Sequence, residues 1–258
     1  MFERSAMAQE ERLAAARAAL GEVQARIGAA REGGERAPLP LAESVAELLP
    51  GGLHRGTVLS VSGSTSLVLA LAGEASREGS WVAIVGMPHV GLVAAARRGV
   101  DLARLALVPH PGAQAATAAA ACIDGMDLVI LGPRLALSDA DRRRLAARAR
   151  ERGSVLLSVG RISSVGRISS AGVAGTTWPG ARIEMVVEAA QWSGLGAGDG
   201  RLRDRQAVVA VRERGGPERR VAVMLDGERG VWRPGVRGVE ITEDTGVADG
   251  SVLADEVA

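Results

Sequence analysis

The chain has 258 residues, 47% of them hydrophobic, and a formal net charge of +1. That is enough apolar material for a sizeable core, with no global field to draw the protein to nucleic acid or membrane. All 31 basic residues are arginine, and lysine, asparagine and tyrosine do not occur. Chemistry that needs a lysine ammonium is therefore excluded, including the lysine of a phosphate-binding loop, and the larger planar guanidinium is a poor replacement for it.

A single cysteine, Cys122, rules out an internal disulfide framework and a cysteine-cluster metal site. It lies in the small-residue stretch "ATAAAACIDG", where a buried structural thiol is expected. His54, His89 and His110 have no metal-ligand spacing, so no metal is expected. No apolar run reaches about 18 residues, and "MFERSAMAQEERL" is charged throughout, so neither a membrane span nor a secretory signal is expected. The expected location is cytoplasmic, with nucleoid association open.

Residues 7–31 are rich in Ala, Glu, Arg and Leu and read as a helix. Leu13, Ala16, Leu20, Val23, Ile27 and Ala30 alternate three and four apart, a heptad seam shorter than three repeats. Leu13, Leu20, Val23 and Ile27 are the candidate docking face, toward the chain's own domain, a second copy or another protein. "GGERAPLP" breaks the pattern, and a short helix is expected in "LAESVAELL" before "PGG" ends it.

From Gly56 the pattern alternates. Apolar runs at 57–63, 81–86, 105–110, 127–132 and 154–160 are separated by helical stretches at 66–77, 91–99, 112–123 and 138–152. Hydrophobicity is continuous within the runs, so both faces of each strand are buried, and single intervening helices imply right-handed crossovers and a parallel sheet. Ser138 with Asp141 three residues on is a weak capping box at the start of the last helix. Beyond residue 180 come three β-branched runs, 181–192, 206–214 and 219–226, expected as antiparallel strands extending the sheet. "VGRISS" occurs twice in succession, at 159–164 and 165–170, too short a tandem for a repeat architecture. The last 20 residues carry six acids and no base, the composition of a disordered tail. The expected division is an N-terminal helix and linker at 1–50, a core at 51–235 and the acidic tail at 236–258.

"LSVSGSTSLVLAL", residues 59–71, has the strand, glycine turn and helix of a phosphate-binding loop without its Gly-Lys-[Ser/Thr]. The order of parts around it resembles the RecA recombinase core over nearly all of 50–230. The resemblance is carried by "LPGGLHRGTVLSVSG", by "GSWVAIVGMPHVGLVAAARRGVDLARLALVPH", by "DGMDLVILG" and by the late strands "RIEMVVEAAQWSG" and "RDRQAVVAVRERGGPERRVAVML". It implies an α/β fold of the RecA-like, P-loop type: a mostly parallel central sheet flanked by helices, added C-terminal antiparallel strands and an N-terminal helix.

Against that template each position that handles ATP has changed. Gly63, Ser64, Thr65 and Ser66 form a degenerate loop, about four residues too short to wrap a phosphate. The acidic residue that activates water falls at Met87, and the Walker B aspartate that holds Mg²⁺ falls at Gly132. Asp127 stands at the opposite end of that strand. What remains near the loop is the helix dipole with Ser62, Ser64, Thr65 and Ser66, which could hold an anion weakly. No cofactor and no enzymatic activity are expected. The first DNA-binding loop of the RecA core is shortened away. The second corresponds to about 160–180 and keeps Arg161 and Arg167 as candidate phosphate contacts. Six arginines within 142–152 and seven within 201–220 read as solvated faces, and aromatic stacking platforms are scarce. DNA binding, if any, is expected to be weak and nonspecific.

"VSGSTSLVLALAGEAS", "SWVAIVGMP" and the tryptophan-containing "WSGLG" make the chain similar to the actinobacterial RecA-like accessory proteins of the ImuA type. That resemblance implies a noncatalytic adaptor in damage-induced translesion synthesis. Its partners would be an ImuB-like protein, a DnaE-type polymerase and RecA. A divergent RecA-family ATPase and a subunit capping RecA filaments stay open as alternatives.

Overall fold

The computed structural model describes residues 37–160, 178–195 and 200–226. The helix expected at 7–31, with Leu13, Leu20, Val23 and Ile27, lies outside these residues. So do Arg161 and Arg167, nearly all of the VGRISS tandem, and the acidic tail.

The five apolar runs form strands β1 (Val58–Ser62), β2 (Val82–Val85), β3 (Leu105–Val108), β4 (Leu128–Leu131) and β5 (Val155–Val159). All pair in parallel, with Val82 opposite Leu105 and Leu128, and Val58 opposite Leu156. Three longer strands follow: β6 (Ile183–Leu195), β7 (Gly200–Glu213) and β8 (Glu218–Asp226). β6 pairs in parallel with β1, and β7 and β8 add in antiparallel sense, completing one sheet of order β3-β2-β4-β5-β1-β6-β7-β8. This is the mixed α/β architecture expected, with a mostly parallel centre and antiparallel strands at its C-terminal side.

Alternate residues along each parallel strand enter two apolar layers. Leu59, Val61, Ile84, Ile130 and Leu157 face one layer, while Val58, Val85, Val129, Leu131 and Leu156 face the other. The first layer is covered by α1 (Glu43–Ala46), α2 (Thr65–Arg77) and α3 (Leu92–Arg97). The second is covered by α4 (Ala115–Gly125) and α5 (Asp139–Arg152), with Trp178 set into it. Central strands are thus buried on both faces, which is why they read as continuous apolar runs.

α2 is apolar nearly all round because it is enclosed nearly all round: Leu67 to Gly73 are all buried. α5 opens with the expected capping box. Ser138 Oγ accepts from Asp141 N at 3.2 Å, and Asp141 Oδ2 accepts from Ser138 N at 3.1 Å. Asp replaces the usual Glu here, and its shorter side chain still reaches.

Two features differ from the pattern read along the chain. Leu39, Val45, Leu48, Leu49 and Leu53, in and beside the stretch set apart as a linker, are buried in the core, and Leu39 bridges Leu53. Arg219, from β8, clamps α1 by donating to Glu47 O at 2.9 Å and to Leu48 O. β7 begins six residues before its β-branched run. The polar stretch from Gly200 has no strand signal of its own and is extended by pairing, Leu195 to Gly200, Ser193 to Asp204 and Trp192 to Arg205.

One glycine in α2 fixes how α3 approaches. A Cβ on Gly73 would lie 1.7 Å from the Arg98 carbonyl oxygen, just past the end of α3. Gly125, also helical and buried, has nothing within 4 Å of its Cβ position. In urea denaturation of the full chain, Gly73→Ala is expected to lose about 2 kcal/mol or more by overpacking, while Gly125→Ala holds or gains a few tenths.

Candidate functional site

In an open parallel sheet, ligands bind beyond the carboxyl ends of the strands. Here those ends are Ser62–Gly63 on β1, Gly86–Met87 on β2, Gly132 on β4 and Gly160 on β5.

At β1 the chain turns through Gly63, with φ +91°, a conformation that favours glycine. A Cβ there would also press on β6, 3.0 Å from Val187 O. Ser64 follows as the N-cap of α2. Its Oγ accepts from Leu67 N at 3.2 Å and, from the other side, from Arg205 Nη1 at 3.2 Å. Ser64 is buried, with Thr65 and Ser66 half-buried beside it. The amide that a phosphate would take in a longer loop is taken by the cap, and the local positive charge comes from β7 rather than from the loop.

Arg205 is the residue here that the sequence did not single out. It belongs to the arginine-rich 201–220 region, but strand alternation puts it on the core-facing side with Ala207, Val209 and Val211. Its guanidinium also lies over the ring of Trp192, 5.3 Å from the centroid, and its Nε is enclosed without a hydrogen bond. A stacked guanidinium gains about 0.5–2 kcal/mol from the ring quadrupole, which favours this one orientation. Only the pairing of Trp192 with Arg205 across β6 and β7 reveals it, and that register is not written in the sequence.

At β2 and β4 the closure is steric. Gly132, where the RecA resemblance would place the Walker B aspartate, donates its N–H to Val85 O at 2.8 Å. A Cβ on Gly132 would lie 2.2 Å from the Gly86 carbonyl oxygen and 2.9 Å from Met87 Cγ. A Cβ on Gly86 would lie 2.4 Å from Leu135 Cδ2. Met87, where the RecA resemblance would place the water-activating acid, is half-buried and packs against the apolar core. Gly160 approaches Ser62 just as closely, its Cβ position 1.9 Å from Ser62 Oγ. The carboxyl ends of β2 and β4 thus approach closely at these glycines, with Met87 and Leu135 half-buried beside them.

Asp127, at the amino end of β4, has a different task. Its Oδ1 accepts from Arg55 Nη1 at 2.9 Å and its Oδ2 from Trp81 N at 3.0 Å, tying the entry of β1 to that of β2. Burial pushes the Cys122 thiol up from its ordinary value, away from nucleophilic character. Among the described residues no group of three His, Cys, Asp or Glu side chains is placed to hold a metal, and no helix is long and apolar enough to cross a membrane.

The arginines of α5 are partly structural. Arg148 donates to Asp124 on α4 through both Nε (2.7 Å) and Nη2 (2.5 Å), and Arg152 Nε adds a third contact at 3.0 Å. Arg142 stacks on the buried Trp178, 5.4 Å from the ring centroid. The hydrogen bond from Arg148, reinforced by charge from Arg148 and Arg152, holds the Asp124 carboxyl below the usual aspartate range.

The connection from β4 to α5 is Gly132–Ser138. A family model described as the MT3502 N-terminal domain matches residues 47–164, a span that takes in Gly63, Met87 and Gly132. An uncharacterized protein of Mycobacterium tuberculosis, Rv3395c, is 44% identical over 115 residues, covering 43% of this chain and 56% of that protein. The chain therefore aligns with little more than half the length of that relative. Among solved structures, the crystal structure of the RadB recombinase is similar over 70% of this chain and 92% of that one, with 18% identity and a TM-score of 0.48.

Two outcomes are expected. Gly132→Ala should lose about 2–3 kcal/mol in denaturant unfolding, and Gly132→Asp more, because the carboxylate would be forced against a backbone carbonyl. Asp124 has a lowered folded pKa, so its contribution is full above about pH 4 and is lost as pH falls through the lower folded value. Asp124→Asn should therefore cost about 1 kcal/mol at neutral pH, the pair being partly exposed, and its stability should converge on that of the parent protein in acid. Thermal melts of both proteins from pH 7 down to pH 2 read this directly.

Proposed function

We propose that this chain is a noncatalytic RecA-like accessory protein of the ImuA type, working in damage-induced translesion synthesis by holding other proteins together. The observation that carries the reading is the packing at Gly132. The position that would carry a metal-binding carboxylate has no room for a side chain, and Met87 and Leu135 pack where acidic chemistry would be needed. The internally capped α2 and the absence of lysine from all 258 positions support the same reading. A fold that keeps its sheet and closes its nucleotide mouth retains value as a shaped surface.

Such a protein has no ATP-driven switch, so partner binding is constitutive and control falls to the amount of protein made. The partners in this reading are an ImuB-like protein and a DnaE-type polymerase, with RecA as a third. Nucleic acid enters at most through nonspecific phosphate contacts, which would weaken steeply with salt.

The test has two arms. The full-length tagged protein is expected to copurify with an ImuB-like partner at physiological salt, with or without added ATP. Calorimetric titration with Mg-ATP should give no binding at micromolar affinity, and phosphate release should match a mock preparation. ATP turnover above mock would overturn the noncatalytic reading. Failure to retain any of the three partners would overturn the adaptor role.

A further inference from the structure

We propose that the open edge of β6, centred on Gln191, pairs with the same edge of a second copy of this chain, the two strands running antiparallel about a two-fold axis. β1 ends at Ser62, opposite Val186, and the register of β6 against β7 shifts between Val187 and Ala189. From there β6 has β7 on one side and no described strand on the other. Ala189, Ala190, Gln191, Trp192 and Ser193 are all exposed, Trp192 by 49%. An edge strand turns backbone donors and acceptors outward, and natural sheets blunt such edges with charge or proline. The two outer strands of this sheet do so. β3 runs directly into Pro109 and Pro111, and β8 opens on Glu218, Arg219 and Arg220. Between Glu188 and Asp199, by contrast, no residue is charged and none is proline. What this stretch offers is a backbone ladder, which another extended chain pairs in series.

A second copy is the occupant because the exposed block is its own complement. In an antiparallel pair centred on Gln191, Ala189 lies opposite Ser193 of the partner subunit. Ala190 lies opposite Trp192 of the partner subunit, and Gln191 faces Gln191 of the partner subunit. Cross-strand Cβ atoms sit about 5 Å apart, so the small Ala190 methyl leaves room for an indole across the axis. The two Gln191 amides each bring a donor and an acceptor, so neither needs a different partner chemistry. Within its own chain, the Arg205 guanidinium lies over the Trp192 ring and favours one orientation of it before any partner arrives. No like charges meet at any of these positions, so nothing electrostatic opposes self-pairing. The block is short, and its interface falls below the standard size of about 1,600 Å², so a dissociation constant on the order of 10 μM is expected. This inference goes beyond the adaptor reading and does not depend on it.

The experiment is sedimentation velocity on the full-length protein, from about 1 to about 200 μM, where monomer is expected to pass to dimer. Gln191→Lys and Gln191→Glu each set like charges directly across the axis, so each variant alone should dimerise roughly tenfold more weakly. Their equimolar mixture should recover the dimer, because lysine then faces glutamate. Thermal melts of both variants should match the parent, since the position is exposed. A parent that stays monomeric at every concentration would overturn the proposal. A dimer that neither charge weakens would lie on another surface and overturn it equally. Weakening by both charges without recovery in the mixture would sink the pairing centred on Gln191.

Discussion

The close approach of β2 and β4 at their carboxyl ends governs what this protein can be. With 2.2 Å between the Gly86 carbonyl oxygen and any Cβ on Gly132, only glycine fits. Interiors packed to crystal density do not yield locally, so a side chain there would have to move a strand. Met87 and Leu135, both half-buried, pack beside this point on the two apolar layers of the sheet. A carboxylate could not be reinstated there without undoing that packing.

The β1–α2 joint is closed by a different means. A helix N-terminus leaves amides to be satisfied, and a phosphate-binding loop leaves them for its ligand. Here Ser64 takes the Leu67 amide, and Arg205 then occupies the remaining side of the serine oxygen. Arg205 is in turn held by stacking on Trp192, across the β6–β7 pair. The strands added at the C-terminal side of the sheet thus reach back to seal the turn at its centre. Their extension past the end of β1 follows from that task, since the Trp192–Arg205 pair lies beyond the last residue that β6 shares with β1.

The legible part of this fold was the part governed by burial. Strands enclosed on both faces must be apolar at each position, and α2 must be apolar nearly all round, so runs such as "LVIL" and "SLVLALA" announced themselves. The capping box at Ser138 was legible for a local reason, since both of its partners lie within one turn. What stayed hidden depended on distant contacts. The early part of β7 is polar and is extended only because β6 lies beside it. Leu39 and Leu53 look like linker residues until they bridge. Arg205 looks like one charge among many, and Gly132 says nothing of its crowding until β2 is placed against β4. The close contact between Gly132 and Gly86 is visible only in three dimensions.

The chain's exclusive use of arginine gains a structural meaning from these contacts. A planar fork with five donors can bridge two elements at once, whereas an ammonium acts as a point charge. Arg55 joins the Ala37 carbonyl to Asp127, Arg148 grips Asp124 with two nitrogens, Arg219 spans the Glu47 and Leu48 carbonyls just past α1, and Arg205 joins a hydroxyl to an aromatic face. A lysine ammonium could bridge two acceptors, but it has no planar fork for the two-nitrogen grip on Asp124 and no planar face to stack on a ring. Clusters that look like nucleic-acid contacts in the sequence are therefore drawn partly inward, as staples between helices and strands. That leaves fewer guanidinium groups free on the surface of the described residues than a count of arginines suggests.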